Sequence, residues 1–180
     1  MADPVDTNEL VLITDVGSED ANSYGTLDEM YHYFLHISTA EQFLALDEQT
    51  QIAYMIQAAR INDTMLDPIG IATYENQALL FPRKRLVDRH GRKYGEDEIP
   101  KQVKWAQFEE ARYLYSTGTK LPSMLTQGFS EAKLDVMSIK LDKDFIPLKV
   151  DNDAVDFLSL FGSVDSGSLG GFHMIDVWRY

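Results

Sequence analysis

The amino-acid sequence predicts a mainly α-helical fold, a small helical bundle with a few short β-strands and an extended C-terminal arm. Two long segments have apolar residues at helical spacing, and two helix-start signals lie ahead of them. The 180 residues are 44% hydrophobic, which is enough to bury one core. We therefore expect one helical domain over residues 1–162, followed by a linker and arm over residues 163–180.

The first predicted helix begins after Thr26. Thr26 and Glu29 have the capping-box spacing, in which each side chain accepts a hydrogen bond from a backbone N–H at the start of the helix. The segment LDEMYHYFLHI that follows is predicted to be helical. A second start signal lies within STAEQ, residues 38–42.

A long helix is predicted from Asp47 to about Leu66. Its end follows from Pro68, because a proline disfavours helical geometry in the residue before it. Asp63 falls on the apolar side of this helix, where we expect a buried carboxylate paired with an arginine rather than a general base. The residues of the apolar stripe are Ile52, Met55, Ile56 and Ala59.

The next predicted helix runs from Ile99 to about Tyr115, with Pro100 tolerated in its first turn. It has two apolar stripes, separated by about 60 degrees or more around the axis. Such a helix must be covered on two sides, by its own domain or by a neighbouring subunit. One stripe consists of Val103, Ala106 and Tyr113 or Leu114, and the other of Trp105, Phe108 and Tyr115, with the stem of Arg112 between them.

The remaining segments are shorter. Strands are expected at ELVLITDVG (residues 9–17) and KLDVMSIKL (residues 133–141), and a short helix ended by Gly162 is expected at AVDFLSLFG. Residues 69–98 lack helical periodicity and contain several Gly and Pro residues, so they are predicted to be a long connection.

The C-terminal segment combines a Ser/Gly tract with an apolar end. SVDSGSLGG, residues 163–171, is typical of a flexible linker, and GFHMIDVWRY follows it. An end this apolar is not expected to stay in water. It is predicted either to pack on its own core or to join another subunit as a strand or arm.

The charges are distributed unevenly along the chain, whose formal net charge is −13. Residues 1–82 contribute −13, residues 83–93 contribute +5, and residues 94–180 contribute −5. Because an acidic surface repels a polyanion, this distribution disfavours nucleic-acid binding and predicts no measurable binding to single-stranded DNA at physiological salt. The basic block, residues 83–93, is interpreted either as a solvated loop or as a contact for an acidic partner, including another copy of the chain.

No motif for catalysis is found in the sequence. Phosphate-binding, zinc-protease, nucleophile-elbow and dinucleotide-binding motifs are missing, and the chain contains no cysteine. Asp28, His32 and His36 are spaced i, i+4 and i+8, but no fourth ligand is evident and histidines on helix surfaces are common. We predict a protein that is not an enzyme, with no catalytic residue, no cofactor and no metal.

The N-terminal segment MADPVDTNEL is acidic and polar, so no secretion signal is expected. No segment approaches the roughly 20 consecutive apolar residues that a membrane span needs. We expect the protein to be made and kept in a cytoplasm, without a membrane partner.

Several short motifs occur in an order that resembles a phage protein family. The segments are EDANSYGTLDEMYHYF, AYMIQAARIND and NQALLFPRKRLVDRHGRKYGEDEIPKQVKWAQFEEA. This ordered set is similar to the DnaT-like single-stranded-DNA-binding proteins of phages, over roughly residues 9–115 and reaching AVDFLSLFG. The positions that match the family pattern are Asn22, Ser23, Tyr24, Asp63, Gln77, Pro82, Arg83, Gly91, Ile99, Pro100, Ala106, Glu109 and Ala111.

The resemblance implies two alternative functions. Members of this family look like head-to-tail connector adaptors, and we predict this structural function for the chain, in the neck of a virion assembled in the host cytoplasm. The implied partners are further copies in a ring expected to be dodecameric, the portal protein, a tail or second adaptor protein, and DNA only as passing cargo. The alternative is a single-stranded-DNA-binding protein associated with phage replication, which needs stacking aromatics in a basic groove.

The predicted protein–protein interface has three parts. The basic block of one copy would contact the acidic N-terminal region of the next copy, and the second stripe of the Ile99–Tyr115 helix and the C-terminal arm would add apolar contacts. The predicted interface residues are Arg83, Lys84, Arg85, Arg92, Lys93, Trp105, Phe108, Phe172, Trp178 and Tyr180.

Overall fold

The computed structural model describes residues 9–118 and 151–165. This part of the chain contains five α-helices and two small two-stranded sheets, so the prediction of a mainly α fold with a few short strands is confirmed. The predicted strand at residues 133–141 and the arm residues Phe172, Trp178 and Tyr180 lie outside the described residues.

Five helices and four short strands follow one another along the described residues, and a long connection separates the third helix from the fourth. The helices are α1 (Leu27–Phe34), α2 (Glu41–Leu44), α3 (Glu48–Met65), α4 (Lys101–Ser116) and α5 (Asn152–Leu158), and a 3-10 turn at Ser38–Ala40 precedes α2. The strands are β1 (Leu66–Pro68), β2 (Ile71–Ala72), β3 (Arg83–Lys84) and β4 (Gly162–Val164). Strand β1 pairs antiparallel with β4, and β2 pairs antiparallel with β3.

Local sequence signals determine where α1 and α3 begin. Thr26 accepts a hydrogen bond from the backbone N–H of Glu29, whose carboxylate accepts from the backbone N–H of Thr26, so the predicted capping box is confirmed. Asp47 begins α3 by accepting from the backbone N–H of Thr50 at 3.0 Å. The signal at residues 38–42 precedes only the 3-10 turn and the four-residue α2, neither of which has a side-chain cap.

Helix α4 contacts each of the four other described helices. Val103 and Ala106 belong to one apolar cluster, with residues of α3, β1 and α5, while Phe108 and Leu114 belong to a second cluster, with residues of α1, α2 and α3. The predicted burial of α4 on two sides is therefore confirmed. The residues that cover both sides come from the same chain, so this helix needs no neighbouring subunit to bury its stripes.

Residues 9–17 form neither helix nor strand, so the predicted strand there is wrong. Side-chain amides take the place of a partner strand. Gln49 accepts from the backbone N–H of Leu10 at 2.8 Å and donates to its carbonyl at 3.2 Å, and Asn22 accepts from the backbone N–H of Ile13 at 2.8 Å. The β-branched residues of this segment favour an extended backbone, but they do not show whether a partner strand or side-chain amides will bond to it.

Gly162 belongs to β4 and does not end α5, which stops at Leu158. In the β1–β4 pair, a Cβ atom on Gly162 would lie 2.1 Å from the carbonyl oxygen of Asp67, so this close pairing requires glycine. The pair continues with Leu66 opposite Val164. The first residues of the predicted linker therefore belong to the folded domain.

Gln107 joins three parts of the core through a side chain that is fully buried. Its Oε1 accepts from the backbone N–H groups of Tyr24 at 2.9 Å and Gly25 at 3.3 Å. Its Nε2 donates to Ser23 Oγ and to the carbonyl of Met55, both at 2.8 Å. The amide thus uses its full hydrogen-bonding capacity to hold residues 23–25 against α3 and α4.

We expect Gln107→Leu to lower the free energy of unfolding by about 3 kcal/mol, because the apolar side chain leaves several buried polar groups without partners. Urea denaturation followed by tryptophan fluorescence measures the change. Gln102→Leu is the matched control on the same helix, because Gln102 is only half-buried, and it is expected to change stability by about 0.5 kcal/mol or less. Equal effects of the two substitutions would contradict the role assigned to Gln107.

Candidate nucleic-acid interface

The basic block lies in the connection between α3 and α4, on a backbone that is paired at several points. Ile71 of β2 is opposite Lys84 of β3, and Ala72 is opposite Arg83. Farther along, Val87 forms an isolated bridge with Lys93. The prediction of a long connection is confirmed, and the connection contains short strands that fix the backbone of the basic residues.

Asp63 anchors this connection to α3. Its carboxylate accepts a hydrogen bond from the hydroxyl of Tyr24 and one from the backbone N–H of Leu80, the latter at 3.0 Å. Burial raises the pKa of Asp63 to about 6, and the hydrogen bonds from Tyr24 and Leu80 oppose this shift. The predicted arginine partner of Asp63 is wrong, because a tyrosine and a backbone amide from distant parts of the chain occupy that position.

Arg83 has a structural role in the same connection. Its guanidinium donates to three backbone carbonyl groups, those of Ile69 at 2.8 Å, Gly70 at 2.9 Å and Leu80 at 3.1 Å. The side chain is half-buried. Arg83 therefore holds the two ends of the 69–80 excursion together, which leaves its charge little access to a ligand.

Asp88 shapes the turn that carries the later basic residues. Its Oδ1 accepts from the backbone N–H groups of His90 and Arg92, both at 2.9 Å, and its Oδ2 accepts from the hydroxyl of Tyr94 at 3.0 Å. Burial raises the pKa of Asp88, but the hydrogen bonds outweigh burial and the net shift is downward. The turn includes Gly91, which has a φ of +81°.

Five cations of the basic block have charged groups that form no salt bridge in the described part of the chain. Arg85, Arg89, Arg92 and Lys93 are exposed, and Lys84 is half-buried. Among residues 9–118 and 151–165, the three salt bridges within 4.0 Å involve only Lys104 and Arg112 as cations. The charged groups of the five residues, which we call the outer cations, are therefore available to an anionic ligand.

The predicted aromatic members of the interface lie elsewhere. Phe108 is 1% exposed in the core. Trp105 is half-buried, with its ring stacked on Tyr33 at 5.7 Å and in a T-shaped contact with Phe157. Both rings are thus covered by residues of their own chain. The sequence could not predict this, because the apolar stripe of a helix does not show which residues cover it. Sequence reasoning also left out Arg89, an outer cation, and Tyr74, which lies in the same connection two residues after β2.

One acidic group has the spacing of a metal site. Carboxylate oxygens of Glu109, Asp151 and Asp153 lie within 4.8 Å of one another. The guanidinium of Arg112 already contacts Glu109 at 2.7 Å and Asp151 at 3.7 Å, and the hydroxyl of Tyr33 donates to Glu109 at 2.8 Å. These interactions account for the group as an ion-pair network between α1, α4 and α5.

Asp28 and His32 lie on α1, but His36 does not, because α1 ends at Phe34. The three residues therefore do not share one helix face as their spacing predicted. His32 and His36 instead line a surface groove of about 520 Å³ beside α2.

Many positions of the family pattern act in internal hydrogen bonds. Gln77, for example, accepts from the backbone N–H of Tyr74 at 2.9 Å and donates to the carbonyls of Leu79 at 2.7 Å and Pro82 at 3.2 Å. The pattern positions whose side chains form such bonds are Asn22, Ser23, Tyr24, Asp63, Gln77, Arg83 and Glu109. They hold the loops against the helices rather than form a reactive centre.

None of the helices within residues 9–118 and 151–165 is both long and apolar enough to cross a membrane.

These features define a mainly helical protein with an ordered surface connection, whose outer cations form no salt bridge within the described residues. Residues 9–151 match the family described as "Putative DnaT-like ssDNA binding protein", and the chain belongs to that family. Comparisons with curated proteins and with solved structures give no match.

The family match corrects the functional prediction. A head-to-tail connector adaptor was the predicted function, whereas the family is described as binding single-stranded DNA, so the connector prediction is wrong. The ring, the portal protein and the tail protein lose their support as partners with it. The connector function was implied only by the resemblance, and the basic block was interpreted as a contact between copies because the acidic remainder of the chain was expected to repel DNA.

We expect Arg83→Gln to lower the free energy of unfolding by about 1–2 kcal/mol, because three carbonyl groups lose a charged donor. Arg85→Gln is the matched control, since Arg85 is exposed and two positions away, and it is expected to change stability by about 0.5 kcal/mol or less. Urea denaturation measures both. A loss of stability of the same size in both variants would contradict the separation between Arg83 and the outer cations.

Proposed function

We propose that the chain binds single-stranded DNA through the outer cations of the basic block, as a binding protein without catalytic activity. The observation on which this rests is that Lys84, Arg85, Arg89, Arg92 and Lys93 have no salt-bridge partner within residues 9–118 and 151–165. Lysine and arginine gain affinity for a strand by neutralising phosphates and releasing their counterions.

The backbone beneath these residues supports the proposal. The β2–β3 pair, the guanidinium of Arg83 and the carboxylate of Asp88 order the connection through backbone groups, and none of these contacts uses the charged group of an outer cation. An ordered scaffold lowers the entropy that is lost when a ligand binds, because fewer backbone conformations have to be excluded.

The acidic remainder of the chain limits the extent of the contact. Residues 1–82 contribute −13, so a strand bound at the basic block is repelled if it extends over that part of the surface. We therefore expect a short binding site with about four or five phosphate contacts and a steep dependence on salt. The family description supports a single strand as the ligand.

Fluorescence anisotropy with a labelled oligo(dT) tests the proposal. We expect binding at low salt, with log K falling by about 0.7 per phosphate contact for each unit of log salt concentration. Replacing Lys84, Arg85, Arg92 and Lys93 together by Gln is expected to weaken binding by about tenfold or more and to reduce the slope by up to about 3.

The control compares single substitutions that remove the same charge. Arg92→Gln should reduce the affinity and the slope, whereas Arg60→Gln should change neither beyond the small effect of net charge, because Arg60 is exposed on α3 outside the basic block. Unchanged affinity in the fourfold variant would place the site elsewhere. Absence of salt-dependent binding in the unsubstituted protein would reject the function.

A further inference from the structure

We infer that Tyr74 is a base-stacking residue of this interface, so that the site recognises exposed nucleobases as well as phosphates. This inference rests on the proposed binding of single-stranded DNA. Proteins that bind single strands combine cations that follow the backbone with aromatic rings on which bases stack. The basic block supplies the cations, and Tyr74 supplies a ring in the same connection between α3 and α4.

The position of Tyr74 follows from the pairing of β2 and β3. Its Cα lies at most ~7 Å from that of Ala72, which is directly opposite Arg83. On its other side, the hydroxyl of Tyr74 donates to Asp97 at 2.7 Å, and the hydroxyl of Thr73 donates to the carbonyl of Glu96 at 2.6 Å. The side chain therefore lies just beyond the end of β2, with its hydroxyl on the segment that follows Lys93.

The ring of Tyr74 is held in one orientation. Gly17 lies directly beneath it, since a Cβ atom on Gly17 would be 2.2 Å from Cδ2 of the ring. The backbone N–H of Tyr74 donates to Gln77 at 2.9 Å, and the hydroxyl is fixed on Asp97. Packing and two hydrogen bonds thus orient the side chain before any ligand binds, which reduces the entropy lost on binding.

The ring is also accessible. Tyr74 is 41% exposed although one side of its ring is covered by Gly17. Ile69 and Ile71, a few positions earlier in the chain, are 43% and 58% exposed. A nucleotide of a single strand combines an apolar base face with a phosphate, which fits an exposed aromatic ring in the same connection as the outer cations.

The surrounding charges determine how a strand would lie. Asp97 is at the hydroxyl end of the ring and Glu75 follows Tyr74 in the chain, so phosphates should avoid these acids and lie toward the other end of β2, where Ile71 is opposite Lys84. A duplex keeps its bases stacked on one another inside the helix, where Tyr74 cannot reach their faces. Stacking on Tyr74 would therefore favour a single strand over a duplex.

The experiment measures the binding of two labelled oligomers of equal length, oligo(dT) and an abasic strand with the same phosphates. Tyr74→Ala is expected to weaken oligo(dT) binding by about tenfold, to leave the salt slope unchanged and to leave abasic binding unchanged. Tyr74→Phe keeps the ring and is expected to stay within about threefold of the unsubstituted protein. Tyr31→Ala is the matched control, because Tyr31 is 39% exposed and its hydroxyl also forms a hydrogen bond, but it lies on α1.

The outcomes separate the two proposals. Equal weakening of oligo(dT) and abasic binding by Tyr74→Ala would show a structural role for the ring and would overturn the stacking inference. Salt-dependent oligo(dT) binding that Tyr74→Ala does not change would overturn the stacking inference alone. No binding of oligo(dT) by the unsubstituted protein would overturn the proposed function, and the stacking inference with it.

Discussion

The buried amide of Gln107 is the interaction on which the other contacts of the described domain depend. It fixes residues 23–25 against α3 and α4, and this places the ring of Tyr24 in the core with its hydroxyl on Asp63. Asp63 in turn accepts from the backbone of Leu80, whose carbonyl accepts from Arg83. A continuous set of hydrogen bonds thus connects the helical core to the start of the basic block.

This arrangement separates the residues that build the surface from those that are free to bind. Arg83 and Asp88 lie within the basic block and are occupied by backbone groups, whereas the outer cations form no salt bridge within 4.0 Å in the described part of the chain. The chain has a net charge of −13, and its positive charge is concentrated on one ordered connection. This gives a small candidate anion-binding site rather than a protein face that is basic throughout. Net charge alone therefore does not predict the ligand.

The parts of the fold that sequence could predict are those set by neighbouring residues. The capping box at Thr26 and the apolar spacing of α3 act within one or two turns of helix, so the pattern is sufficient. The partner of Asp63 and the cover over Phe108 come from distant segments, and no local pattern identifies them. Tyr74 was missed because a single aromatic residue in a loop has no periodicity, although its nearness to the basic block in the sequence was a usable signal.

Hydrogen–deuterium exchange of the full chain, with and without oligo(dT) at low salt, shows whether a single strand binds at the basic block. We expect slower exchange in residues 72–93 when the strand is bound, with unchanged exchange in α1 and in the buried amides of α3 and α4. Those helices serve as an internal reference, because the core is already closed in the absence of ligand. Protection confined to α1 or to the acidic N-terminal region, or no protection in residues 72–93 under conditions where the strand is bound, would contradict the account.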